Sequence, residues 1–189
     1  MRLYLVRHAG VTVRPNQPSF HWHLSPEGRA AAEALAGEPS WADLRALYTS
    51  PEPKAAGTAQ RIAARHGLPI RIEPDLREVE GRAWVEGEGY REVVQRYLAG
   101  EPVAGWEPQQ QATARIRACI DGIVAQEGGA EVGVVSHGLV LALYLADLLG
   151  LDGAAAYRLW AHLRFPDVAV VDPQARRLEQ AFGHGGGPP

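Results

Sequence analysis

Arg2-Leu3-Tyr4-Leu5-Val6-Arg7-His8-Ala9 is the stretch that decides how this chain is read. The run through Val6 carries β-branched and aromatic members and reads as a buried strand opening the fold. It ends in a permanent cation and an imidazole, neither of which suits an apolar layer. Buried parallel strands pass into loops and helices at their carboxyl ends, and ligands collect there. Arg7 and His8 therefore stand where a site belongs.

Outward from that strand, apolar runs alternate with helical patterns. Further strands are expected at 44–49, 68–73, 131–135, 168–171 and 178–182. Helices are expected at 29–36, 54–65, 90–98, 109–125, 139–149 and 154–162. Ser25 followed by Pro26 is an N-cap and first-turn signature, Gly37 closes that helix, and His66-Gly67 closes the next. The pattern predicts an α/β sheet covered on both faces. One domain over residues 1–183 is expected, with 78–108 as a small cap and 184–189 as a flexible Gly/Pro tail. No internal repeat is visible.

Composition narrows the function classes. The 189 residues are 46% hydrophobic with a net charge of −3, enough for a real core in an ordinary globular protein. Arginines interspersed with acids form no basic block, which argues against nucleic acid as a partner. No apolar run reaches membrane-spanning length and residues 1–8 lack the form of a signal peptide, so no membrane is expected and the cytoplasm is the default location. Cys119 is the single cysteine, which excludes an internal disulfide and any Cys-based zinc site. His21-Trp22-His23 lacks a third metal ligand.

Three expected strands end alike. The first delivers Arg7 and His8, the second Ser50 and, one helical turn on, Lys54, and the fourth of the expected set His137. In a parallel sheet these ends share a rim, where two fixed cations and two imidazoles suit phosphate. Gly138 adds a backbone N–H at the start of a helix. An imidazole can attack phosphorus and carry the phosphoryl group covalently, while Arg7, Lys54 and protonated His137 neutralise the equatorial oxygens. No metal or other cofactor is required. The leaving alcohol needs a proton; Glu78 is the candidate donor and Glu80 its rival.

These residues carry a resemblance. Leu5-Val6-Arg7-His8-Ala9 resembles the Leu-Val-Arg-His-Gly signature of the histidine phosphatase superfamily, in the branch that contains cofactor-dependent phosphoglycerate mutases. Leu24-Ser25-Pro26-Glu27-Gly28-Arg29, Tyr48-Thr49-Ser50-Pro51 with Thr58-Ala59, Leu76-Arg77-Glu78 and Val134-Val135-Ser136-His137-Gly138 resemble further family segments, in family order. The resemblance implies a three-layer α/β/α sandwich with a mainly parallel central sheet. It implies His8 as the phosphorylated nucleophile, Arg7, Lys54 and His137 as the phosphate pocket, and Glu78 as the general acid. The substrate would be a small phosphorylated metabolite read by loop 10–23 and segment 78–108. Asn16 is the substrate-binding candidate on that loop, although the family's asparagine comes two residues sooner.

Two positions depart from the pattern. Ala9 replaces a family glycine, without consequence if its φ is negative. Lys54, the single lysine of the chain, replaces an arginine and keeps charge without the bidentate fork. The family's mutases are usually longer, so a metal-independent phosphatase is the leading expectation. A mutase, or a phosphate-binding or interaction domain that has lost turnover, are the alternatives. Trp84 is expected either to cap the substrate or to close the core. Substrate identity and oligomeric state are not encoded in a readable pattern.

Overall fold

A computed structural model describes residues 1–81 and 88–183. In it β1 (Leu3–Arg7) pairs in parallel with β4 (Val132–Ser136) on one side and antiparallel with β5 (Asp167–Asp172) on the other. The parallel half continues from β4 to β2 (Ala46–Thr49) and on to β3 (Ile70–Ile72), while β6 (Arg177–Gln180) closes the far edge against β5. The order is β3-β2-β4-β1-β5-β6, a mainly parallel sheet with an antiparallel pair at one edge.

Side chains alternate across each strand, and this splits the core into two layers. Leu3 and Leu5 of β1 pack with Ile116 and Ile120 of α4 (Gln109–Glu127) and Val140 of α5 (Gly138–Leu149). Tyr4 and Val6 face the other way, toward Leu35 of α1 (Pro26–Ala36) and Ile62 of α2 (Pro53–His66). Helices thus cover both faces, giving the expected three-layer sandwich. The apolar run of α5 has a further reason. Its outer face, Leu139 and Leu143, meets Val94 and Tyr97 of α3 (Glu88–Leu98) and Ala156 of α6 (Gly153–Ala161). A helix packed on both sides is hydrophobic all round.

Local signals landed where the backbone chemistry put them. The Ser25 side chain accepts the Gly28 N–H at 2.9 Å, with Pro26 at the first helical position. Gly67 ends α2 in the left-handed region, at φ 65°, and the Leu68 N–H turns back to the Ala63 carbonyl at 3.1 Å. That cap consumes Leu68, so β3 begins at Ile70, two residues later than the apolar run suggests. The loop after β1 is pressed onto α1: a Cβ on Gly28 would lie 1.9 Å from the Gly10 carbonyl oxygen. Only glycine permits that approach. The proposed tail and Trp84 lie outside the described residues.

Candidate active site

β1, β4 and β2 are adjacent and parallel, so their carboxyl ends share one rim. Two hydrogen bonds carry the ladder past the strands, from the His8 N–H to the Ser136 carbonyl and from the Ser50 N–H to the Val135 carbonyl, both 3.0 Å. His8, Ser50 and His137 are thereby set side by side and buried. The two imidazoles stand 5.2 Å apart between centroids, edge to face, and His137 Nε2 lies 2.8 Å from Ser50 Oγ.

His8 Nδ1 lies 2.8 Å from the Ala9 carbonyl oxygen. A carbonyl only accepts, so the proton sits on Nδ1 and the Nε2 lone pair is left exposed for chemistry. Burial first, and then the neighbouring His137 and Lys54 charges, hold the His8 pKa well below its ordinary value of 6.5. The ring is therefore neutral at neutral pH. The backbone beneath it is braced: the Ala9 N–H donates to Thr58 Oγ1 at 3.1 Å, and that hydroxyl donates to the Lys54 carbonyl at 2.8 Å. Among the described non-glycine residues only Arg176 has positive φ, so alanine at position 9 carries no backbone strain.

Arg7 is held by the loop before β5. Its Nη1 donates to the Leu163 carbonyl at 2.8 Å, and its guanidinium carbon lies 3.4 Å from the Phe165 ring centroid. Asp167 fixes that loop, accepting the Arg164 and Val168 N–H groups at 2.9 Å. On its other side the guanidinium covers the start of α5, where a Cβ on Gly138 would fall 2.9 Å from Arg7 Nε. The glycine is what lets a cation lie over a helix N-terminus.

The structure separates the two candidate acids. Glu78 is buried, and its Oε1 accepts the Val79 and Val140 N–H groups at 3.0 and 2.9 Å while Oε2 accepts the Leu139 N–H at 3.2 Å. It caps α5 and lines the pocket. Glu80 is exposed and bonded to Arg77 at 2.5 Å. Ser136 Oγ donates to the Leu76 carbonyl at 2.7 Å, and Arg115 donates to the Asp75 and Arg77 carbonyls, so the segment bearing Glu78 is tied down on both sides.

Lys54 is 3% exposed, and its Nζ donates to Glu52 Oε2 at 2.5 Å and to the Ser19 carbonyl at 2.7 Å. Glu52 is the residue that sequence reasoning missed. Its Oε1 accepts the Glu78 N–H at 2.9 Å and lies 3.3 Å from His137 Nε2, so one buried carboxylate joins three candidate residues. A signal existed: a buried lysine demands an anion, and Glu52 is the nearest carboxylate in sequence.

Arg7, His8, Asn16, Lys54, Glu78 and Gly138 all line one cavity of about 440 Å³, with His137 buried behind His8. Asn16 is exposed at the mouth, on a loop pinned by the Trp22 indole, whose N–H reaches the Arg14 and Gln17 carbonyls at 3.1 Å. Tyr90, Trp160 and Phe165 form further walls that the sequence did not single out. Among the described residues no cluster of His, Cys, Asp and Glu is arranged to hold a metal ion, and no helix is long and apolar enough to cross a membrane.

The family model of the histidine phosphatase superfamily (branch 1) matches residues 3–178. The chain belongs to that superfamily. An uncharacterized protein of Mycobacterium tuberculosis is 33% identical to this histidine phosphatase over 185 residues, covering 90% of this chain and 86% of its own. A probable phosphoglycerate mutase of Yersinia enterocolitica is 29% identical over 187 residues, with 92% and 86% covered. The solved mycobacterial glucosyl-3-phosphoglycerate phosphatase in complex with inorganic phosphate superposes with a TM-score of 0.74 at 26% identity, with 90% and 89% covered. With the family comes its class of chemistry: this histidine phosphatase is a phosphoric monoester hydrolase.

Proposed function

We propose that this histidine phosphatase hydrolyses a small phosphorylated metabolite by way of a phosphohistidine on His8, without a metal ion. The observation that carries the reading is the Nδ1 bond to the Ala9 carbonyl, which leaves Nε2 as a neutral nucleophile on the strand-end rim. In the first step Nε2 forms a bond to phosphorus as the ester P–O bond breaks. The departing alkoxide takes a proton from Glu78, which lines the same pocket as His8. In the second step a water attacks phosphorus as the P–Nε2 bond breaks, its proton passes to Glu78, and phosphate leaves with the His8 lone pair restored. Arg7, Lys54 and His137 offset the charge on the equatorial oxygens.

Glu52 would position this set rather than touch the substrate. It orients His137 through Nε2 and fixes the Lys54 ammonium.

The test is phosphate release from an aryl phosphate in the presence of a chelator, comparing wild type with His8→Ala. Chelator-resistant turnover that falls by about 10³-fold or more in the variant supports the mechanism. Transfer between two positions of one substrate without free phosphate would move the assignment to a mutase, in line with the name of the Yersinia relative. Anion binding with no turnover on any ester would mark a binding domain.

A further inference from the structure

The pocket divides sharply by chemistry. Arg7, His8, Lys54, Glu78 and Gly138 gather at the strand-end rim. Beyond them the described lining is apolar or uncharged. Tyr90 and Trp160 form one wall, with ring centroids 5.8 Å apart and edge to face, and Leu139 and Phe165 continue it. Val11 and Trp22 line the loop side, with Asn16 as an amide at the mouth.

The charges add a second constraint. Lys54 is paired with Glu52 at 2.5 Å, so its charge is compensated before any substrate arrives. Glu78 is itself an acid. Among the described lining residues the fixed cations are Arg7 and Lys54, and both stand at the phosphate end. Nothing in the described lining offers a cation to a second anionic group. A carboxylate on the leaving alcohol would be moved out of water against aromatic faces, with the uncharged Asn16, Gln17 and Ser19 as polar neighbours and no further cation in the described lining, which is costly.

We infer that the physiological ester is a phosphomonoester of an uncharged, largely apolar alcohol, aliphatic or aromatic, rather than one bearing a carboxylate or a second phosphate. The inference rests on the phosphatase reading given above. It sets this chain apart from a substrate such as phosphoglycerate, the compound named for the Yersinia relative. Substrate affinity then comes from apolar contact with the Tyr90–Trp160 wall, and the rim contributes the same phosphate interactions to every ester.

A homologous series tests this. Methyl, butyl and hexyl phosphate release alcohols of similar acidity, so the bond-breaking chemistry stays nearly constant while apolar surface grows. With the wild-type protein, kcat/KM should rise roughly two- to fourfold per methylene until the wall is covered. 3-Phosphoglycerate and O-phosphoserine should fall at least about tenfold below butyl phosphate. Trp160→Ala should lower the hexyl-to-methyl ratio. A flat series with measurable methyl phosphate turnover, an unchanged ratio in Trp160→Ala, or a preference for the carboxylate-bearing esters would overturn the inference and leave the phosphohistidine reading standing. No turnover of any ester, with no phosphate on His8, would overturn both.

Discussion

Replacing Gly138 with alanine should damage the reaction while sparing the fold. The new methyl carbon would lie 2.9 Å from Arg7 Nε, 3.1 Å from Cζ and 3.2 Å from Nη2, where ordinary contact begins at 3.4 Å. The guanidinium must therefore retreat by roughly half an ångström. It has little room to do so, because Nη1 is bonded to the Leu163 carbonyl at 2.8 Å and the Phe165 ring lies 3.4 Å from Cζ. Catalytic groups tolerate displacements of about 0.5 Å, and a 1 Å error can cost about 10²-fold. A loss of about 10- to 100-fold in kcat/KM is expected, together with weaker binding of inorganic phosphate. The helix responds in the opposite sense. Gly138 is not among the glycines with positive φ, so alanine suits the backbone and should offset the contact cost by up to about 1 kcal/mol. The assay is phosphate release alongside a thermal melt. Wild-type kcat/KM in a folded variant would refute the placement of Arg7, and a large drop in Tm would refute the claim that the clash is local to the site.

Glu52→Gln removes the anion that compensates Lys54, so the pocket should hold phosphate more tightly. Product inhibition by inorganic phosphate should strengthen about three- to tenfold while kcat declines as His137 loses its partner; a weaker inhibition constant would contradict the charge assignment. Away from the site, Glu127 has a side chain only 2% exposed, accepts from the Tyr48 hydroxyl at 2.6 Å and pairs with Arg71 and Arg45. The Tyr48 bond, aided by the arginines, holds its pKa below the ordinary 4.5 against the pull of desolvation. A carboxyl lowered in the fold stabilises it above the unfolded pKa, and that contribution is lost as pH falls from about 4.5 through the depressed value. Glu127→Gln should melt earlier at pH 7 and show a shallower decline below pH about 4.5, read from Tm against pH; parallel curves would contradict it.

The sequence by itself determined everything that depends on the backbone and its nearest neighbours. Short continuous apolar runs at β1 and β4 marked the sheet, Ser25 and Gly67 marked helix ends, and the polar residues after each apolar run marked the rim. Those features are legible because apolar patterning, capping and turn chemistry act within a few residues. The strand order was not legible. Nothing local says that β4 lies between β1 and β2, yet that order is what sets His8, Ser50 and His137 shoulder to shoulder. Glu78 and Glu80 lie two residues apart, and the Leu76-Arg77-Glu78 resemblance favours the first without giving a physical reason. They part only when the N–H groups of Leu139 and Val140, some sixty residues on, capture one and Arg77 captures the other. Glu52 was passed over for the same reason, since its role is defined by His137, 85 residues away, and Phe165 and Trp160 by a pocket to which six different segments contribute. Local pattern sets which residues stand at an element's end. Only the tertiary structure, by removing those ends from water together, decides which of them share a dielectric, a proton or a charge.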